Sequence, residues 1–440
     1  MTTCSEYNYK LRHPCRHQVT MQLVCLNDLL PQDHRARAVW EFVDKMDTTS
    51  CLEGINTFKC EAGRPTASPK VLLALWLYSI IDGNVSARKL EELCRYHDAY
   101  KWLAGEISIS RTTLSEFRSQ NSEKFDDLLT SCLAVMIKNN IISDRDFSQD
   151  GMRVKANAGF NSYHGEATLE TLKKEMAERI QQLELEKEQN PEGYDTRKAA
   201  IKARCAEERS QRIDKALENL KESRQRKLEN GIKNGKPLTA EDLEDTRAST
   251  TDPEARKMKM GDGGYRLAFN VQYATGMNSR VIFGVDVGNT LDPGTAPKMM
   301  QQVFSTVTKL GLPAPENWCA DAAYSGKDDV EAVAKLFPGC AYYSPAKPGK
   351  GIDPKKHRKG DSTAVKAWRD SLGTEKMKDI YKNRCSTAEF SNAQTKNQGM
   401  TGVLVRGTIK VRAMAILHAI AFNFVRYLDL IKKKETVTLV

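Results

Sequence analysis

Three acids in this 440-residue chain, Asp150, Asp321 and Glu389, are of a type that can work on a phosphodiester. Carboxylates brought together at strand and helix ends can hold two divalent cations about 4 Å apart. One cation lowers the pKa of an attacking water or 3′-hydroxyl, and the other stabilises the leaving oxygen of an in-line displacement. Mg2+ suits such a site because it takes hard oxygen ligands and shares the substrate phosphate; Mn2+ can substitute. No protein general base is then required. Taken singly, each acid reads as a solvated surface group.

The elements around them give the first reason to read them together. Asp150 falls in Asp146-Phe-Ser-Gln-Asp-Gly-Met-Arg-Val-Lys-Ala-Asn157, where Met152 and Val154 alternate with Arg153 and Lys155, a period near two that predicts a strand. An acid in mid-strand resists burial, so it wants a charged partner or a metal. Asp321 lies in Asn317-Trp-Cys-Ala-Asp-Ala-Ala-Tyr324, which reads as a short buried strand ending on Asp321. Between these, Tyr265–Ala274 alternates, Gly276-Met-Asn turns, and Arg280–Val287 runs back as a hairpin. Helices are predicted from about Pro297 to Leu310 and over Lys327–Leu336, with a further strand at Cys340–Tyr343. That order is an α/β fold, a mixed sheet flanked by helices. Asp286, before a helix, and Asp328-Asp329, at the start of one, rank below Asp321 on position. A nearly all-apolar helix, Val411–Ile431, must be core.

Residues 1–35 read as a polar arm; its Cys4, His13, Cys15, His17 and Cys25 match no standard zinc spacing. Over 36–140 the chain predicts short helices joined by tight turns. Ser68 and Pro69 open the apolar Val71–Ile81, Ser86 caps the next helix, and Ser110 precedes a first turn of Arg111, Thr112 and Thr113. Such a series is the pattern of a helix-turn-helix DNA reader or of a plain helical bundle. Residues 168–231 then change character. One stripe (Leu169, Leu172, Met176, Ile180, Leu183), a break at Asn190-Pro-Glu-Gly193 and a second stripe (Ile213, Leu217, Leu220) predict an inserted helical hairpin, for dimer or DNA contact. Residues 346–369 form a basic insertion. There Lys355, Lys356 and Arg358 offer phosphate affinity, and Trp368 either stacks on an unpaired base or packs on the domain.

The formal net charge of +10 leans toward a polyanionic partner. The N-terminus has no apolar signal core, and no run of about 18 uncharged apolar residues is present to span a bilayer, so no membrane partner is expected. Eleven cysteines without a CxxC pair read as reduced thiols of a cytoplasmic protein.

Asp150-Gly-Met-Arg-Val-Lys-Ala-Asn-Ala158, Tyr265-Arg-Leu-Ala-Phe-Asn-Val-Gln272, Ala320-Asp-Ala-Ala-Tyr324 and Tyr381-x-x-Arg384 to Glu389-x6-Lys396 together resemble the DDE transposases of bacterial insertion sequences. Gly63-Arg-Pro65, Pro69 with its apolar helix, and Ser110–Arg118 look like the helical domain common in that group. The resemblance implies a ribonuclease-H-like catalytic domain over 141–167 and 232–440, with Asp150, Asp321 and Glu389 as ligands of two Mg2+ ions. It implies that Tyr381, Arg384 and Lys396 grip the phosphates of the element's ends, Arg bidentately and Lys as a point charge. The implied partner is double-stranded DNA, both terminal inverted repeats and target, bound by a homodimer in the nucleoid of a bacterial cytoplasm. There are departures. Four residues separate Arg384 from Glu389 where one version of the tyrosine–arginine–glutamate–lysine signature has three, and Ala322-Ala323 stands where glycines are frequent. Two alternatives remain at this level: a catalytically inactive, transposase-derived DNA-binding protein, and a ribonuclease-H-like repair nuclease or resolvase.

Overall fold

The computed structural model describes residues 25–53, 55, 65–189, 196–233, 235, 238–346 and 353–438. Cys4 to His17, Gly63, the break at Asn190–Gly193, Lys347 and Lys350 lie outside them. Helices come first: α1 (Arg35–Asp44), α2 (Pro69–Ile81), α3 (Ala87–Tyr96), α4 (Asp98–Ala104), α5 (Arg111–Gln120) and α6 (Phe125–Lys138). Ser86 and Ser110 cap α3 and α5, their hydroxyls accepting from the amides of Lys89 and Thr113. Helix α2 is apolar on every side and is buried on every side.

Strand β1 (Asp146–Lys155) starts the sheet, followed by the short β2 (Tyr163–His164). Helices α7 (Glu166–Gln189), α8 (Thr196–Lys233) and α9 (Ala240–Glu244) intervene. Then come β3 (Ala248–Ser249), β4 (Arg256–Lys259), β5 (Tyr265–Gly276) and β6 (Ile282–Gly288). Next are α10 (Ala296–Lys309), β7 (Asn317–Cys319), α11 (Lys327–Leu336) and β8 (Ala341–Tyr343). The chain continues through α12 (Thr363–Ser371), α13 (Glu375–Tyr381), a π turn over Cys385–Glu389, α14 (Phe390–Asn397) and α15 (Thr408–Thr438).

The sheet is mixed. β1 pairs antiparallel with β5, which pairs antiparallel with β6 and β4. On its other edge β1 pairs parallel with β7, and β7 pairs parallel with β8. Helices cover both faces. Gly284 on β6 leaves room for Met299 and Val303 of α10, where a Cβ would collide with both side chains. On the opposite face Tyr273 Oη donates to Ala415 O of α15. The strand expected to end on Asp321 stops two residues earlier: pairing ends at Cys319, and the Asp321 carboxylate accepts from the Ala323 amide as the chain enters a 3-10 turn.

Helix α15 ties the molecule together. Its stretch Thr408–Thr436 is long and apolar enough to cross a membrane by composition, but 72% of its most apolar window is buried inside the protein. It packs on α2, α5 and α6 as well as on β5 and β6, so one continuous core joins the N-terminal helices to the sheet. The hairpin α7–α8 has its own small core of Leu169, Ala216 and Leu220 against Ala248 of β3. A further cluster, centred on Val365, Trp368 and Met377, packs α12 and α13 beside β7 and β8.

Candidate active site

The site is built by register. In the parallel pair β1–β7 the last matched residues are Ser148 and Cys319. Asp150 and Asp321 each lie two positions further on, Asp150 within β1 and Asp321 in extended backbone just past β7, so both carboxylates come to the same side of the sheet. Neighbouring strands run about 4.8 Å apart, close enough for the two carboxylates to repel. That repulsion is felt at Asp150. Burial first, with Asp321 and Asp292 adding, pushes its carboxyl up to about 6, against the pull of Arg384. Asp321 is half-buried; its Oδ1 accepts from the Ala323 amide at 2.7 Å, and its main-chain carbonyl accepts from Ser344 Oγ at 2.6 Å.

The segment from α13 to α14 closes over this face. Arg384 Nη2 lies 3.1 Å from Asp150 Oδ1, with both side chains largely buried, and Asn392 Nδ2 donates to Asp150 Oδ2 at 3.1 Å. Ser391 bonds to Thr275 of β5, which seats α14 on the sheet. Between these anchors runs the π turn. In π geometry residues five apart stack as residues four apart do in an α-helix. Arg384 and Glu389 are five apart, so the π turn takes up the additional residue noted in their spacing and keeps Glu389 in the phase a shorter signature would give it. Glu389 itself is exposed, and no hydrogen bond or ion pair links it to Asp150 or Asp321 among the described residues. Nor is any group of three or more His, Cys, Asp or Glu gathered tightly enough to hold a metal among them. Asp150 and Asp321 form a pair, with Glu389 on the neighbouring turn.

Behind the pair is a buried polar network that the sequence did not announce. Gln149 Nε2 donates to Gln272 Oε1 at 3.0 Å, and Trp318 Nε1 donates to Gln149 Oε1 at 3.3 Å. Asn270 and Gln272 both donate to Asp292 Oδ1, at 2.9 and 2.8 Å. Gly151 faces this network, and a Cβ there would collide with Gln272, Asp292 and Asn270. The network links β1, β5 and β7 to the loop after β6, fixing the spacing on which the acid pair depends. The recurrence of Asn270 and Gln272 in one alternating strand was the available signal; their partner Asp292 was not.

The remaining candidates are spread over the surface. Tyr381 is half-buried, its hydroxyl pushed up by burial, with Arg384 opposing and Asp321 adding. Lys396 is exposed on α14, as are Arg111 and Thr112 on the first turn of α5, with Thr113 half-buried. Lys355, Lys356 and Arg358 are exposed, on a loop held by Asp361, which bonds to Lys327, Arg369 and the Arg358 amide. Trp368 is a correction. It is 8% exposed, with Nε1 donating to Ser344 O at 3.0 Å, so it packs on the domain and presents no face for a base.

Comparison with known families gives two matches. The family model described as Transposase domain (DUF772) matches residues 24–120, the region of α1 to α5. The model described as Transposase DDE domain matches residues 347–428, which carry Tyr381, Arg384, Glu389 and Lys396. Comparisons with curated proteins and with solved structures give no match.

Proposed function

The chain belongs to the DDE transposases of insertion sequences, and from that membership we propose that Asp150, Asp321 and Glu389 hold the divalent metal for DNA strand cleavage and transfer. The observation that carries this is the register match that sets Asp150 and Asp321 side by side beyond the β1–β7 pairing. The donor types suit magnesium, being hard oxygens: two carboxylates on one face, Glu389 on the adjoining turn, and beside Asp150 a buried Asn392 Oδ1 without a hydrogen-bond partner among the described residues. Held by these residues, divalent metal would supply activation of the attacking oxygen and charge neutralisation at the leaving one.

The protein's own groups do the positioning. Asp321 keeps one carboxylate oxygen on the Ala323 amide, which fixes the other's direction. Arg384, buried against Asp150, compensates its charge, and the exposed Lys396 with the half-buried Tyr381 offers polar groups for the phosphates at a DNA end. The strand sequence β6-β5-β1-β7-β8, antiparallel then parallel, supports a ribonuclease-H-like catalytic domain. The exposed start of α5 and the basic loop at 355–358 supply contacts to terminal repeats and target, with paired ends handled by a homodimer.

The test is cleavage of a plasmid carrying the element's ends, with Mg2+ supplied. Wild type should nick at the ends, while Asp150→Asn, Asp321→Asn and Glu389→Gln should each abolish nicking and leave end binding intact. Full activity in one variant would remove that residue from the site.

A further inference from the structure

Between the inserted hairpin and the edge of the sheet lies an open cleft of about 1100 Å3, walled by α8, β4, the start of β5 and the loop 289–293. Its walls are basic. Arg226 and Lys227 come from α8, Arg247 from the segment before β3, and Arg256, Lys257 and Lys259 from β4, against the acids Glu229 and Asp245. Aromatic rings stand among them: Phe160 is 47% exposed and Tyr265 55% exposed, with Lys257 Nζ held 5.3 Å above the Tyr265 ring. Large exposed rings between cations are what a strand of unpaired nucleotides recognises, since bases stack on the rings while phosphates meet the charges. Arg256 adds a second sign. Its Nη2 bonds to Asn219, and its Nη1 is buried with no hydrogen-bond partner among the described residues, leaving a donor unpaired in the cleft wall.

We propose that this cleft binds a single-stranded segment of the DNA substrate, and that forming it is the role of the α7–α8 hairpin. The assignment rests on the DNA-substrate reading above. The cleft's volume fits a few nucleotides. Its place fits as well. Phe160 lies five residues past the end of β1, and the loop 289–293 both lines the cleft and carries Asp292 of the network behind Asp150. A strand lying here therefore runs beside the sheet that carries the acids.

The test uses the full chain, a fluorescent oligothymidylate, and a blunt duplex as comparison, in EDTA so that no metal chemistry intervenes. Tyr265→Ala and the pair Lys257→Ala with Lys259→Ala should each weaken oligothymidylate binding by about tenfold, the strength of one stacked base or of lost phosphate contacts. The lysine pair should also lower the slope of log affinity against log salt by about one to two. Tyr265→Phe should bind as wild type, because it keeps the ring. Blunt-duplex affinity should stay unchanged throughout. Wild-type affinity for the single strand in all the alanine variants would overturn the proposal, as would an equal loss on blunt duplex. Loss of single-strand binding in a protein that shows no Mg2+-dependent nicking would leave the cleft assigned and overturn the metal site instead.

Discussion

At the residue scale the account turns on how Asp150 is kept. Burial above all raises its carboxyl from 3.8 to about 6 in the metal-free protein. A folded-state value above the unfolded one means that the native chain holds a proton between about pH 4 and 6 that the unfolded chain has lost. Stability therefore falls as pH rises through that window. Asp150→Asn removes this cost, so the metal-free variant should be more stable than wild type near pH 7, by up to about 3 kcal/mol, and equal to it near pH 4. Added Mg2+ should raise the Tm of wild type and leave that of the variant unchanged. Denaturation at both pH values, with and without Mg2+, checks this; a variant less stable than wild type at neutral pH without metal would show that the Arg384 pairing outweighs burial. The alternation of Met152 and Val154 made the strand around Asp150 legible. The partners Arg384 and Asn392 were not legible as such, because more than 230 residues separate them from Asp150 and only tertiary packing brings them there.

At the element scale the π turn is the feature with most consequence. A four-residue gap between Arg384 and Glu389 looks like a defect in the sequence signature, and helical periodicity alone places Glu389 off the face of Arg384. The π turn over Cys385–Glu389 absorbs the additional residue. Deleting Ser386, which is exposed, should let the segment close as a regular α-helix with the phase of the glutamate and of Ser391 preserved. Such a deletion variant should fold and nick DNA like wild type in the plasmid assay. Loss of nicking with an unchanged Tm would mean that the π geometry itself, and not the phase it restores, is required. The hairpin β5–β6 and the helices α10, α11 and α15 follow their periodicity closely. The end of β7 does not, because a single side-chain hydrogen bond from the Ala323 amide to Asp321 decides where the strand stops. Trp368 illustrates the same limit: a tryptophan amid lysines suggests a stacking ring, and only the packing of α12 on β8 shows it enclosed.

At the scale of the whole molecule, charge and core divide the work. One apolar cluster spans the N-terminal helices and the sheet, with α15 at its centre, so the same core carries α5, proposed above to contact DNA, and the strand bearing Asp150. The proposed DNA contacts are exposed cations distributed over several elements. Removing one should act uniformly on affinity: Lys396→Ala is expected to weaken end binding and lower the salt slope by about one, measured by anisotropy across a salt series. An unchanged slope would take Lys396 off the phosphates. The central claim is that side chains from β1, from the turn after β7 and from the π turn share divalent metal. Titration of Mn2+ into the metal-free protein, followed by electron paramagnetic resonance, tests it most directly. Wild type should show saturable binding, lost in Asp150→Asn and Asp321→Asn and weakened in Glu389→Gln. Binding unchanged in all three variants would contradict it.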